Sequence, residues 1–162
     1  MDTIILQIAD VKGNCDIKGF EEQIIVQSFS HSASIPMQMD RASIERTSGR
    51  PSFSEMNFSK ESDVSTPSLY AACVAGTKLG DAKIHIGRTE GKVFMSLFEY
   101  VLSNAMVSSI STNGGGGQPN DSFSLNYTKI TQIYTQQKED SNKKGNAGFG
   151  WDLVKNVDAT PK

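Results

Sequence analysis

The sequence predicts a mostly β fold, a two-sheet β-barrel or sandwich that carries one short α-helix. Several segments alternate apolar and polar residues with the two-residue period of a half-buried strand, and turn-forming residues separate these segments. Only residues 66–75 have a strong helix pattern. Because one short helix cannot enclose a core, the sheets must supply it.

The predicted helix, residues 66–75, has recognisable start and stop signals. Asp63 and Thr66 can accept hydrogen bonds from unpaired amides at the helix start, and Pro67 has the backbone angle that a first helical position favours. Gly76 supplies a left-handed stop. The apolar stripe of the helix, which we expect to lie against a sheet, consists of Leu69, Ala72 and Cys73.

The other elements are predicted strands. In chain order they cover residues 4–8, 22–32, 56–60, 82–88, 93–111, 121–136 and 148–157. In the second of these, Ile25 and Phe29 are placed on one face. Segment 93–111 fits helical spacing as well, but its β-branched end favours a strand broken near Asn104. In segment 121–136 the apolar face changes after Tyr127, which suggests a bulge or a strand packed on both sides.

Two segments are predicted loops. Residues 33–51 contain two prolines, a glycine and several charges without a sustained period, which indicates a long exposed loop. Loops of that length in a compact domain are uncommon and are usually functional or disordered. Residues 138–147 are predicted to be a second, polar loop.

The composition of the chain limits the classes of protein to which it can belong. With 162 residues and a formal charge of -2, the chain suits one domain with a sizeable core and gives no reason to expect nucleic acid or an anionic membrane as partner. The first residues lack the basic start of a signal peptide and are too short to span a membrane, so we expect synthesis in the cytosol. Cys15 in a polar turn and Cys73 on the helix stripe are expected to be reduced thiols.

A search for catalytic or metal-binding patterns favours structural interpretations. His31 and His85 are the only histidines, and without paired cysteines nearby they are expected to be ordinary strand residues, not zinc ligands. The chain has no G-x-S-x-G motif, and Asp63 fits helix capping better than catalysis. We therefore expect no enzyme activity, no catalytic residues, no metal and no cofactor.

Several short motifs follow one another along nearly the whole chain. They are Asp10-Val11-Lys12-Gly13, Phe29-Ser30-His31, Ser65-Thr66-Pro67 with Leu69, Ala72-Cys73 and Gly76, Val107-Ser108-Ser109-Ile110-Ser111, Ser124-Leu125-Asn126-Tyr127, and Gly150-Trp151. No single motif is specific, but the ordered set resembles the haemolysin-coregulated proteins (Hcp).

The resemblance implies a structural function. Hcp proteins form the inner tube of the bacterial type VI secretion system: a β-barrel-like subunit with one helix assembles into six-membered rings, which stack, carry effector proteins in the lumen and are ejected under a spike. The implied partners are further copies of this chain, effectors, and the spike and sheath proteins, with no nucleic acid and no membrane insertion. The expected location is the bacterial cytoplasm, followed by secretion without a signal peptide. Residues 1–162 are expected to form a single domain without a fused C-terminal effector domain.

The resemblance also suggests roles for particular residues. Ser30 matches a position that faces the lumen in the family, and strand alternation extends that expectation to Ser28 and Ser32. Residues 33–51 match the family's extended loop, whose charged residues are candidates for contacts between stacked rings: Asp40, Arg41, Glu45, Arg46 and Arg50.

One alternative from another functional class stays open. A monomeric β-barrel of this size can enclose a pocket, so the chain could be a small-ligand carrier. The mass of the particle in solution separates the two hypotheses, because a ring has a multiple of 17.6 kDa and a carrier has the monomer mass.

Overall fold

The computed structural model describes residues 2–37, 47, 49–137 and 143–161. Within these residues the protein is mostly β with one short helix, as predicted. In chain order the strands are β1 Asp2–Ile8, β2 Ile24–Val26, β3 Ser28–Ser30, β4 Ala33–Ser34, β5 Ser52–Phe53, β6 Met56–Glu61, β7 Ala82–Glu90, β8 Val93–Ser103, β9 Met106–Asn113, β10 Asn120–Asn126, β11 Lys129–Gln137, β12 Lys143–Asp152 and β13 Val157–Asp158. The helix α1 spans Ser65–Ala75 and follows β6.

Two antiparallel sheets enclose the core. The larger has the strand order β13-β12-β11-β8-β7-β1-β2, and the smaller has the order β3-β6-β10-β9. Strands β4 and β5 form a separate two-stranded ribbon at the base of the 33–51 segment. Apolar residues from both sheets and from α1 form one buried cluster, which includes Leu6, Ile84, Leu102, Phe123 and Leu69.

The first strand is buried on both faces. Leu6 and Ile8 point into the core between the sheets, whereas Ile5 lies on the opposite face and is also fully buried. That outer face is covered by the segment after β1, because Phe20 packs against His85, the β7 residue paired with Ile5, at 4.9 Å between ring centres. The loop that covers its outer face therefore explains why β1 has apolar residues on both faces.

The predicted strand at 22–32 is two strands in different sheets. Ile24 and Val26 of β2 are buried in the larger sheet, and the amide of Gln27 already donates to a carbonyl of β6 in the smaller sheet. The alternation changes phase at this crossing. Consequently Ile25 is 44 % exposed while Phe29 packs against the core, and their placement on one face was wrong.

Two further changes of sheet account for the ambiguous segments. The break near Asn104 is confirmed: this residue has φ 55° and separates β8 in the larger sheet from β9 in the smaller. Segment 121–136 is likewise divided, into β10 and β11 in different sheets. The pairing of β10 with β9 does contain a bulge at Ser124 and Leu125. However, the change of apolar face after Tyr127 comes from the crossing between sheets.

The last predicted loop and strand need correction. Residues 143–147 were assigned to a polar loop, but they are the first half of β12, which pairs with β11 as far as Gln137 and Lys143. This hairpin extends beyond the core, so its residues 145–147 are exposed on both faces and lack apolar alternation. The strand predicted at 148–157 ends at Asp152, and the short β13 follows.

Candidate functional site

The most distinctive surface is the face of the smaller sheet that points away from the core. The central part of this face carries seven serines and one asparagine, and we call these eight residues the serine face: Ser28, Ser30, Asn57, Ser59, Ser109, Ser111, Ser122 and Ser124. Between them lies an open depression of about 370 Å³. Between the serine-face residues, Phe29, Phe58, Phe123 and Ile110 of the same four strands point inward and pack on the core. Alternation of inward apolar and outward polar side chains therefore creates this surface.

Strand register arranges the serine face in two rows. One row runs across the sheet through Ser28, Ser59, Ser122 and Ser111, and the other through Ser30, Asn57, Ser124 and Ser109. Within the second row Ser124 Oγ donates to Asn57 Oδ1 at 2.6 Å, and Ser109 Oγ donates to Ser124 Oγ at 3.2 Å. Three side chains of the second row are thus linked by hydrogen bonds, and most residues of both rows remain open to solvent.

The serine face carries no formal charge. Glu61, the next outward residue of β6, lies at one end of the serine face, where the side-chain Nε2 of Gln27 donates to its Oε1 at 3.5 Å. Hydroxyl groups both donate and accept hydrogen bonds, and small ones do so without imposing a shape. Such a surface can make many weak polar contacts with a partner and offers no reactive group.

Sequence reasoning found part of this surface. The structure places Ser28 and Ser30 on the serine face, but Ser32 follows β3, outside the four-stranded sheet, where its amide donates to Ser54 Oγ. The other six residues of the serine face were not predicted from the sequence. The signal was available for Ser59 and Ser122, because each follows or precedes a phenylalanine in an alternating strand.

A buried ionic cluster lies directly behind the serine face. Lys60 and Asp121 are both fully buried, and the Lys60 ammonium donates to Asp121 Oδ2 at 2.9 Å and to Asp63 Oδ1 at 3.0 Å. Three hydroxyls also donate to the Asp121 carboxylate, from Ser62, Thr66 and Thr112. The cluster therefore joins β6, β9, β10 and the start of α1.

The cluster changes the acidity of Asp121. Burial alone would raise the pKa of its carboxyl, but the hydrogen bonds from Thr66, Lys60, Ser62 and Thr112 outweigh burial and lower the pKa from 3.8 to about 2. Asp121 is thus ionised throughout the physiological range. A buried ion pair with several added hydrogen bonds satisfies the condition under which such a pair is tolerated in a core.

The residues at the helix start bond reciprocally. The Ser65 amide donates to Asp63 Oδ1 at 2.9 Å, while the Asp63 amide donates to Thr66 Oγ1 at 3.1 Å. The helix begins one residue earlier than predicted, so Pro67 is its third residue, still within the first turn where a missing amide proton costs no hydrogen bond. Gly76 ends the helix with φ 62°.

Most of the candidate stacking residues, namely Asp40, Arg41, Glu45 and Arg46, lie outside the described residues. Arg50 is described, and its guanidinium donates to the carbonyl oxygen of Leu153 at 2.7 Å. This contact ties the base of the 33–51 segment to the turn between β12 and β13. Arg50 is therefore engaged within its own chain.

The histidines and cysteines lie in surroundings that fit structural roles. Burial lowers the pKa of both His31 and His85, so each imidazole favours its neutral form. Cys73 is a half-buried free thiol, and Cys15, which was predicted to lie in a polar turn, is a buried free thiol. Among the described residues, no group of three or more His, Cys, Asp or Glu side chains is arranged to hold a metal ion. In the same part of the chain, no helix is both long and apolar enough to cross a bilayer.

Together these features define a two-sheet β protein with an open, hydroxyl-lined face on its smaller sheet. The chain belongs to the Hcp family of the type VI secretion system: the family described as "Type VI secretion system effector, Hcp" matches residues 5–134. Protein hcp1 of Pseudomonas aeruginosa is 31% identical over 159 residues, covering 96% of this chain and 98% of that protein.

Solved structures agree on the fold. A structure described as a type six secretion system protein has a TM-score of 0.89 at 21% identity and covers 98% of this chain and 99% of its own. Hcp1 from Salmonella typhimurium has a TM-score of 0.81 at 18% identity and covers 97% and 98%, respectively. At these identities the likeness concerns the fold.

Proposed function

We propose that this chain is a non-enzymatic tube subunit of a type VI secretion system, with the serine face lining the lumen of a six-membered ring. In this proposal the rings stack, effector proteins are held loosely in the lumen, and the assembly is driven out under the spike by the sheath. The subunit is made in the bacterial cytoplasm and is then secreted. The observation that carries the proposal is the open, uncharged serine face.

The order of strands in the smaller sheet supports closure into a ring. Within the described residues, β3 and β9 are the two open edges of this sheet. Because all its neighbours are antiparallel and the sheet has four strands, β9 of one copy would meet β3 of the next in the antiparallel sense. The same head-to-tail contact repeated around an axis closes a ring and leaves no exposed edge.

Strand spacing gives the expected size of the passage. Twenty-four strands, four from each of six copies, at about 4.8 Å apart have a circumference of about 115 Å and a diameter of about 37 Å between strand backbones. After side chains are included, a passage of that width admits a small folded domain. This diameter applies to strands that run parallel to the ring axis.

The chemistry of the serine face suits a carrier of different proteins. Hydrogen bonds between exposed hydroxyls and a partner replace hydrogen bonds to water, so each one adds only about 0.5–1.5 kcal/mol. Binding would therefore rest on many weak contacts and would be lost when the ring falls apart. The interior between the sheets is filled by core side chains, which removes the support for the alternative of a small-ligand carrier.

Ring stacking is proposed for the 33–51 segment. Its charged residues Asp40, Arg41, Glu45 and Arg46 are candidates for contacts with the next ring, as the family resemblance suggests. Arg50 is assigned a different role, because its guanidinium is bonded to Leu153 of the same chain. It fixes the direction in which the segment leaves the sandwich.

The lumen assignment is tested by Ser30→Glu. We expect the mass of the ring to stay that of wild type while effectors no longer co-purify, because six added carboxylates narrow the passage and repel acidic partners. Thr89→Glu is the matched control, since it adds the same charge at an exposed hydroxyl residue of the larger sheet. Because Ser30 lies on the β3 edge that the proposed ring pairs with β9, Ser122→Glu on the central strand β10 repeats the test away from that edge. Unchanged co-purification in both variants would remove the serine face from the cargo site.

A further inference from the structure

A third row of side chains crosses the smaller sheet beyond the serine face. Glu61 of β6 pairs with Asn120 of β10, which in turn pairs with Asn113 of β9. All three residues are exposed, and they lie where β6 and β9 end and β10 begins. We call them the end row. The end row differs from the serine face in one respect, because it carries a formal charge.

Glu61 is the one outward-facing charge on the four strands of the smaller sheet. These strands contain three charged residues in all, and the other two, Lys60 and Asp121, are fully buried on the inward side. A single carboxylate per subunit therefore interrupts an otherwise neutral sheet face.

The lysine next to Glu61 in the sequence does not neutralise its carboxylate. The Lys60 ammonium points inward, where it donates to the carboxylates of Asp121 and Asp63 and to the backbone carbonyl oxygen of Glu61. Among the described residues, no cation lies within ion-pair distance of the Glu61 carboxylate. One lysine against three carboxylates leaves a formal charge of -2 at this end of the sheet.

In the proposed ring, six copies of Glu61 lie at one mouth of the lumen. Four strands at about 4.8 Å place the equivalent carboxylates of neighbouring copies about 19 Å apart. That distance exceeds the Debye length of about 8 Å at physiological salt, so each carboxylate acts through its own contacts and not through a summed field. A groove of about 340 Å³, which Gln27, Asp63 and Gln118 also line, leaves room beside Glu61 for a side chain of a partner.

We propose that Glu61 determines the charge of the cargo at one mouth of the lumen, by binding a lysine or arginine side chain of the carried protein. The inference rests on the proposed ring and names a property of its cargo. The ammonium or guanidinium group donates to the Glu61 carboxylate, and Asn113 and Asn120 offer amide oxygens as further acceptors. The serine face makes no such demand, so cargo is selected by charge at a single level of the passage.

Peptide binding to the wild-type ring tests this preference. Fluorescence anisotropy compares labelled glycine–serine peptides of equal length that carry lysines, glutamates or no charge. Lysines at every sixth position lie about 20 Å apart in an extended chain and can therefore reach successive copies of Glu61. An exposed ion pair raises affinity about 1.4- to 5-fold, so three lysines should give a preference of about 3- to 100-fold over the neutral peptide. Added salt should weaken the binding of the lysine peptide and leave that of the neutral peptide unchanged.

Two variants and a control assign the preference to Glu61. Glu61→Gln keeps the shape of the exposed side chain, so the ring should retain its mass and lose the preference for the lysine peptide. Glu61→Lys should reverse the preference toward the glutamate peptide. Asp10→Asn removes the same charge from an exposed turn after β1, in the larger sheet, and should bind all three peptides as wild type does.

The outcomes separate this inference from the proposed ring. A ring that binds the lysine and glutamate peptides alike, or equal affinity of wild type and Glu61→Gln for the lysine peptide, overturns the role of Glu61 and leaves the ring in place. A wild-type particle of 17.6 kDa overturns the ring and this inference with it.

Discussion

Replacing Asp121 with asparagine should destabilise the protein strongly without changing its shape. The substitution keeps the size of the side chain but removes the negative charge that faces the fully buried Lys60 ammonium at 2.9 Å. Lys60 then retains only Asp63 as an anionic partner. Removing one partner of an ion pair lowers the stability of the fold most when the charge that remains is buried, as the Lys60 ammonium is here.

The expected size of the effect follows from these contacts. Breaking a buried ion pair typically costs about 3–5 kcal/mol, and the remaining Asp63 contact places this case near about 3 kcal/mol. For a chain of this length, that loss lowers Tm by roughly 6–12 °C. The exposed Lys12–Glu22 pair, also 2.9 Å apart, is the control, because Lys12→Ala should change stability little.

Urea unfolding at a fixed protein concentration measures the loss, since assembly makes apparent stability depend on concentration. The midpoint should fall and the slope should stay constant. The double variant Lys60→Met with Asp121→Leu should be more stable than Asp121→Asn, because the buried ammonium is then absent. Its recovery should be partial, since Asp63 loses its cation and keeps the hydrogen bond from the Ser65 amide. Equal stability of wild type and Asp121→Asn would refute the reasoning, and so would a double variant as unstable as the single one.

The same carboxylate predicts a dependence on pH. The pKa of Asp121 is lowered to about 2 in the folded protein, from 3.8, so its contribution is complete above pH 4 and is lost as the pH falls toward 2. Over that range wild-type stability should therefore fall more than that of Asp121→Asn. Parallel curves for the two proteins would contradict the assignment.

Two further substitutions test the helix and the 33–51 segment. Cys73→Asp places a charge on the half-buried side of α1 and should cost about 2 kcal/mol of unfolding free energy, whereas an unchanged Tm would reject the packing. Replacing Arg41, Arg46 and Arg50 together with alanine should leave the fold and the ring intact and reduce tube formation, which electron microscopy can count. Restoring Arg50 alone separates loss of its bond to the Leu153 carbonyl from loss of ring contacts, and an unfolded triple variant would place the segment in the core.

Local alternation predicted the elements well wherever a strand stays in one sheet. The strand predicted at 56–60 is β6, in which Met56, Phe58 and Lys60 are buried, and the β-branched end of segment 93–111 correctly indicated a strand. Alternation failed where the chain crosses between sheets, as at Gln27, because the inward side changes there and no local residue type marks the change. It also failed for the first half of β12, whose exposed hairpin buries neither face.

The candidate site was predictable only in part, for a related reason. Ser28 and Ser30 came from alternation in one segment, but the serine face is completed by strands up to 96 positions further along the chain. The pairing of Lys60 with Asp121 is equally non-local. Lysine in an inward strand position was visible in the sequence, while its partner depends on the register of β6 with β10.

The most direct test of the account is a cryo-electron microscopy reconstruction of the purified wild-type protein at side-chain resolution. We expect six copies around a central channel, with Ser30, Ser59 and Ser122 facing the channel. A particle in which these serines face outward, or are buried between subunits, would contradict the central claim that the serine face is the wall of the lumen.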